Sequence, residues 1–198
     1  MKRLMLVIGM TVVLFGCATT KVERVDIDKK VDLSGRWNDH DAYLASKELI
    51  KDCLERSWVE KFSSFRKREP SVIVGNIVNR TDEHIDPAVI VKDMETELMN
   101  SGRVSFVASS YERLQIRTER EDQQKGYTDP ARAAQLGKEL GADFILIGSI
   151  NSIKDEIQGK YVILYQINAE LIDVSTNEKV WLGQKEIKKI VKKSKYSL

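Results

Sequence analysis

Residues 71–78, Ser-Val-Ile-Val-Gly-Asn-Ile-Val, are a short β-branched run of the kind that lies inside a sheet. After a polar loop (residues 79–84), Asp86-Pro87 opens a helical pattern with proline at its first position. Val89, Ile90, Met94, Leu98 and Met99 mark its apolar side, and Gly102 closes it before a strand at 104–107. Strand, helix and strand within this short span predict a right-handed βαβ unit with parallel strands. Three more strands follow, at 143–150, 160–173 and 179–190, with a turn at 175–178. Consecutive strands without helices between them predict an antiparallel meander. The expected architecture is therefore α/β (α+β): a mixed sheet of about five strands packed with helices.

A helix is expected at 40–66, capped by Asp39 or Asp41, because Leu49, Ile50, Cys53, Leu54, Trp58, Phe62 and Phe65 recur at spacings of three and four. Cys53 falls in that stripe and reads as a small buried hydrophobe. Residues 109–125 are helix-prone but mostly solvated. A further helix starts at Thr128-Asp129-Pro130, carries Ala131, Ala134, Leu136 and Leu140, and ends on Gly141 as a left-handed cap. Trp37 and Trp181 read as packing residues.

The N-terminus carries a separate message. Lys2 and Arg3 precede an apolar run of 13 residues, 4–16, and then Cys17. A membrane-spanning helix needs about 20 residues, so this run is a secretory signal peptide. Leu14-Phe15-Gly16-Cys17 resembles the bacterial lipobox, which implies cleavage before Cys17 and lipidation of its thiol and new amino group. Several acyl chains anchor a protein firmly where one does not. Ala18, where Asp is the inner-membrane retention signal, points to the outer membrane and its periplasmic face. The expected organisation is a signal peptide at 1–16, a lipidated N-terminus and tether at 17–39, and an α/β domain at 40–198.

Charge narrows the partners. The 198 residues include 32 Lys+Arg and 30 Asp+Glu; removing Lys2 and Arg3 with the signal peptide equalises them. Residues 185–195 nevertheless hold six lysines and one acid, Glu186, a pattern that fits an edge strand guarded against aggregation. Without interleaved aromatic residues in an exported chain, this stretch does not read as a nucleic-acid site. No enzyme constellation stands out. His84 sits among Asp82, Glu83 and Asp86 with no second His or Cys at ligand spacing, so no metal is expected. Ser63-Ser64 and Ser109-Ser110 lack a nucleophile elbow, and Gly137-Lys138 lacks a phosphate-loop pattern. Neither a cofactor nor a small-molecule substrate is expected.

Three segments, at 100–108, 136–150 and 165–188, together with Ser34-Gly35-Arg36-Trp37-Asn38-Asp39 and Asn79-Arg80-Thr81 before His84-Ile85, resemble the LpoB family of penicillin-binding-protein activators. That family is related in fold to the amino-terminal domain of TolB. The resemblance covers about 34–190. It implies a non-enzymatic lipoprotein that binds the regulatory domain of a class A bifunctional penicillin-binding protein and stimulates peptidoglycan synthesis. The contact surface is then expected at loop ends, with Asn79, Arg80, Thr81, His84, Arg117 and Arg120. For Arg80 and His84, a capped and solvated turn is the plainer reading. The alternative function is a structural or secretion-assembly envelope lipoprotein that oligomerises, as in the TolB-like curli secretion pore family.

Overall fold

The structure, a computed structural model, describes residues 23–26, 29, 31–129, 131–132 and 139–192. Along these residues run α1 (Asp39–Glu55), α2 (Trp58–Arg66), β1 (Ser71–Asn79), α3 (Pro87–Asn100), β2 (Ser105–Phe106), α4 (Ser110–Asp122), a π-helical turn (Gln123–Tyr127), β3 (Phe144–Ile157), β4 (Lys160–Asp173) and β5 (Lys179–Lys192). The sheet order is β2-β1-β3-β4-β5. β1 pairs in parallel with both β2 and β3, and β3, β4 and β5 form an antiparallel meander. The expected mixed five-stranded sheet is the one found. β5 is the edge strand that its lysines suggested.

The single helix expected at 40–66 is instead two. Arg56 leaves the helical region (φ −83°, ψ 155°). Next to it, the Trp58 indole N–H donates to the Cys53 carbonyl at 2.7 Å. That carbonyl is the acceptor the next helical turn needs. Trp58 and Phe62 turn in instead, meeting the Phe144 ring edge-on at 5.0 and 5.3 Å. Phe65, placed on the apolar stripe by its spacing, is 80% exposed. The N-cap is Asn38 rather than Asp39 or Asp41. Its side chain accepts from the Asp41 N–H, and the Asp41 carboxylate accepts in return from the Asn38 N–H.

α3 is capped by Asp86, as the Asp-Pro pair predicts, and Gly102 follows it with φ +62°. Its Ile90, Met94 and Leu98 are buried, whereas Val89 and Met99 face solvent. The helix expected after Thr128 falls largely on residues outside those described. Gly141 is described and does not take a left-handed conformation, so it is no helix cap. Its carbonyl accepts from the Ser71 hydroxyl at the start of β1. β3 runs beyond Ile150 to Ile157 because β4 returns beside it through the two-residue turn Gln158-Gly159, where Gly159 has φ +78°. Residues 151–157 show no buried alternation, which is why hydrophobic pattern misses this half of the strand.

The core lies between one face of the sheet and helices α1 and α3. Tyr161, Ile163, Tyr165, Ile167, Ala169 and Leu171 alternate inward along β4. They join Ala42, Ala45, Leu49, Ile50 and Cys53 of α1 in one buried cluster. Each large side chain so buried contributes about 1.5–3 kcal/mol.

Candidate functional site

The loop leaving β1 is built around Asn79. Its Nδ2 donates to the carbonyls of Glu83 and Ile85, at 2.9 and 3.3 Å, and its Oδ1 accepts from the Thr81 N–H and hydroxyl at 2.9 and 2.8 Å. The Thr81 hydroxyl in turn accepts from the Glu83 N–H. Asn79 and Thr81 thus hold the loop's shape from inside. Arg80 and His84 are exposed on its surface. The Arg80 backbone N–H donates to the Ile150 carbonyl at 2.8 Å, while its guanidinium has no partner among the described residues.

One side of β1 is largely unpaired. β2 contributes only the pairs Ser71–Ser105 and Val72–Phe106, closed by the Val107 N–H donating to the Val72 carbonyl. The chain then turns away at Ser109, which caps α4 in a reciprocal box with Glu112. From Ile73 onward, among the described residues, β1 has a strand only on its β3 side. Between Val74 and Ile77 the β1/β3 register gains one residue, a bulge at Gly75-Asn76. A cleft of about 1000 Å³ runs along this edge and onto β3, lined by Val74 and Ile77 of β1, Ile145 and Ile147 of β3, Pro87 and Val91 of α3, and Ser110 and Arg113 of α4; Arg80 also lines it.

α4 buries none of its residues. Polar contacts position it instead. The Glu112 carboxyl is held below its usual range, chiefly by hydrogen bonds from Ser109. Arg117 and Arg120 both donate to Glu139, at 2.8 and 3.2 Å. These two arginines, expected at a contact surface, pin the solvated helix to the segment entering β3. The structure therefore brings Asn79, Arg80, Thr81 and His84 together at one loop and places Arg117 and Arg120 apart on α4.

A second cluster adjoins the Asn79 loop through Glu83, where residues 31–38 pack against β4 and β5. Trp37 packs edge-on against Tyr165 with ring centroids 5.4 Å apart. The Tyr165 hydroxyl accepts from the Trp37 N–H at 3.0 Å and donates to Glu83 at 2.7 Å. Burial, then Glu83, push this phenol well above its usual range. Lys189 ties the same segment to β5, donating to the Arg36 carbonyl and to Asp32, each at 2.8 Å. Trp181 is buried, and its indole N–H reaches Asp52 at 2.8 Å.

A family model described as the peptidoglycan-synthase activator LpoB matches residues 41–187. The chain belongs to the LpoB family. The match runs from the capping box of α1 into β5, so it takes in the whole core, the β1 edge and α4. Among solved structures, the LpoB C-terminal domain from Escherichia coli is 17% identical, with a TM-score of 0.47, covering 74% of this chain and 98% of that one. The same domain from Salmonella enterica is 18% identical, with a TM-score of 0.43 and the same two coverages. The NMR structure of Escherichia coli LpoB is 16% identical, with a TM-score of 0.44, covering 92% of this chain and 84% of that one. Comparison with curated proteins gave no significant match.

The LpoB family is one of peptidoglycan-synthase activators, and the Ser109 hydroxyl and Cys53 thiol of this chain serve structure. The Ser109 hydroxyl caps a helix. The Cys53 thiol is buried and pushed up to about 12, chiefly by desolvation. Among the described residues, no group of three or more His, Cys, Asp or Glu gathers in a way that holds a metal ion, and no helix is long and apolar enough to cross a membrane. Cys17 and its lipobox lie outside the described residues. The open β1 edge is the feature that sequence reasoning missed. Its signal was present: a four-residue partner strand predicted beside an eight-residue one leaves half an edge unpaired.

Proposed function

We propose that the mature chain is an outer-membrane-anchored periplasmic lipoprotein that binds the regulatory domain of a class A bifunctional penicillin-binding protein and activates it. The observation that carries this reading is the LpoB family match across residues 41–187. Residues 1–16 act as the signal peptide, Cys17 bears the lipid, and the segment up to residue 39 is the tether. An activator of this kind works by differential contact: it must bind the synthase's active arrangement more tightly than the inactive one. The exposed Arg80 and His84 belong to the contact surface, and Asn79 and Thr81 fix the loop that presents them. A planar, multi-donor guanidinium suits that task.

The test is affinity capture of class A synthases by the tagged lipoprotein, with glycan polymerisation and cross-linking rates measured as it is added. Absence of binding together with unchanged rates would sink the proposal. Metabolic labelling with a fatty acid, lost in Cys17→Ala, checks the anchor. Density fractionation of the envelope checks the membrane.

A further inference from the structure

We infer that the open edge of β1 is a strand-addition site for an extended acidic segment of the partner protein. This deepens the activator reading and rests on it.

Backbone directions define the edge. The Ser71 carbonyl accepts from the Asp143 N–H on the β3 side, and the Val72 carbonyl accepts from Val107 on the β2 side. Alternation along the strand then aims the Val74 main chain at the cleft. Past the bulge, the Arg80 N–H donates to Ile150 on the β3 side, so the Ile77 main chain also faces the cleft. Two sets of ladder donors and acceptors therefore line a cleft of about 1000 Å³ with no strand opposite them among the described residues. An extended chain satisfies such groups directly, and five or six residues span about 17–20 Å.

Charge selects the kind of chain. Arg80, Lys92 and Arg113 outnumber Asp86 and Glu95 among the described residues of the cleft wall. Glu95 is nearly buried and takes Lys92 at 2.6 Å, and one Asp86 oxygen caps α3. The cations have capacity left: the Arg80 guanidinium has no partner among the described residues, and one Arg113 nitrogen donates to the Ala108 carbonyl. The uncompensated charge is positive, so the complement is an acidic strand. The Gly75-Asn76 bulge twists the edge and disfavours flat pairing with a second copy of this chain.

The experiment uses the full lipidated chain in detergent and the class A synthases it captures. Arg80→Glu, and separately Ser110→Trp to fill the cleft from α4, are each expected to weaken synthase binding at least about tenfold. Lys188→Glu, at the opposite edge of the sheet, is expected to leave it within about twofold. Hydrogen exchange should slow at the Val74 and Ile77 amides when synthase is added. Binding unchanged in both cleft variants, or an equal loss in Lys188→Glu, overturns strand addition and leaves the activator reading standing. Concentration-dependent protection of those amides without synthase assigns the edge to a second copy and overturns the proposal. Absence of wild-type binding overturns the activator reading and this inference with it.

Discussion

Lys189 Nζ lies 2.5 Å from the Asp41 carboxylate, joining the last strand to the first helix. Both side chains are nearly buried, at 10% and 4% exposure. Asp41 also accepts from the Asn38 N–H in the capping box, so one carboxylate closes the helix and anchors β5. Lys189→Met is expected to leave Asp41 buried without its cation and to destabilise the fold by about 3 kcal/mol. Desolvation lowers the lysine's affinity for its proton, but Asp32 and Asp41 outweigh it and hold the group above its ordinary value. The pair's stabilisation is therefore complete below the unfolded value of 10.5 and fades as pH rises through the higher folded value. Urea unfolding of wild type and variant across alkaline pH checks both statements: the gap between them should close as pH rises.

Asp143 shows the opposite sign. Burial raises its carboxyl, but hydrogen bonds from Arg68 and from the Ser71 hydroxyl and N–H prevail and bring it to about 2. Arg68 is bidentate at 2.7 Å to each oxygen, and Ser71 adds contacts at 2.8 and 2.6 Å. Its contribution is present above 3.8 and is lost as pH falls toward 2. Asp143→Asn is expected to cost about 1–3 kcal/mol at neutral pH. It should also flatten the acid limb of the melting-temperature profile between pH 4 and 2. An acid limb identical to wild type would refute the assignment.

Cys53 should behave as a core residue. With its thiol fully buried and raised to about 12, it is expected to resist alkylation by iodoacetamide at pH 8 in the native protein and to react at once in denaturant. Mass spectrometry before and after unfolding reads the difference.

Gly148 sits where β3 crosses between β1 and β4. A Cβ built there runs into the Asn168 carbonyl oxygen, a backbone atom that cannot swing aside, and lies 3.0 Å from Ile77. Gly148→Ala is expected to destabilise the chain by about 1–3 kcal/mol, measured by thermal unfolding. An alanine variant as stable as wild type would show that the sheet accommodates this displacement.

Local chemistry by itself determined much of this protein. The β-branched run at 71–78, the Asp86-Pro87 cap with its helical periodicity, and the alternation along β4 each announce their element within a short window. The segments at 100–108, 136–150 and 165–188 likewise carry the LpoB resemblance, which the family match over residues 41–187 bears out. What escaped the sequence depends on partners distant along the chain. The break after α1 arises because Trp58 finds Phe144, and β3 continues past Ile150 because β4 returns beside it. The site follows the same division. Asn79, Thr81, Arg117 and Arg120 carry the residue types of a contact surface. Local hydrogen bonds make the first two the loop's internal scaffold, and tertiary structure ties the arginines to Glu139. It leaves Arg80 beside an unpaired strand edge. Whether a polar side chain faces a partner or a neighbour is set by what the fold brings within hydrogen-bond reach. For this chain those contacts span two to six residues within the Asn79 loop, and between elements from 19, Arg120 to Glu139, to 157, Asp32 to Lys189.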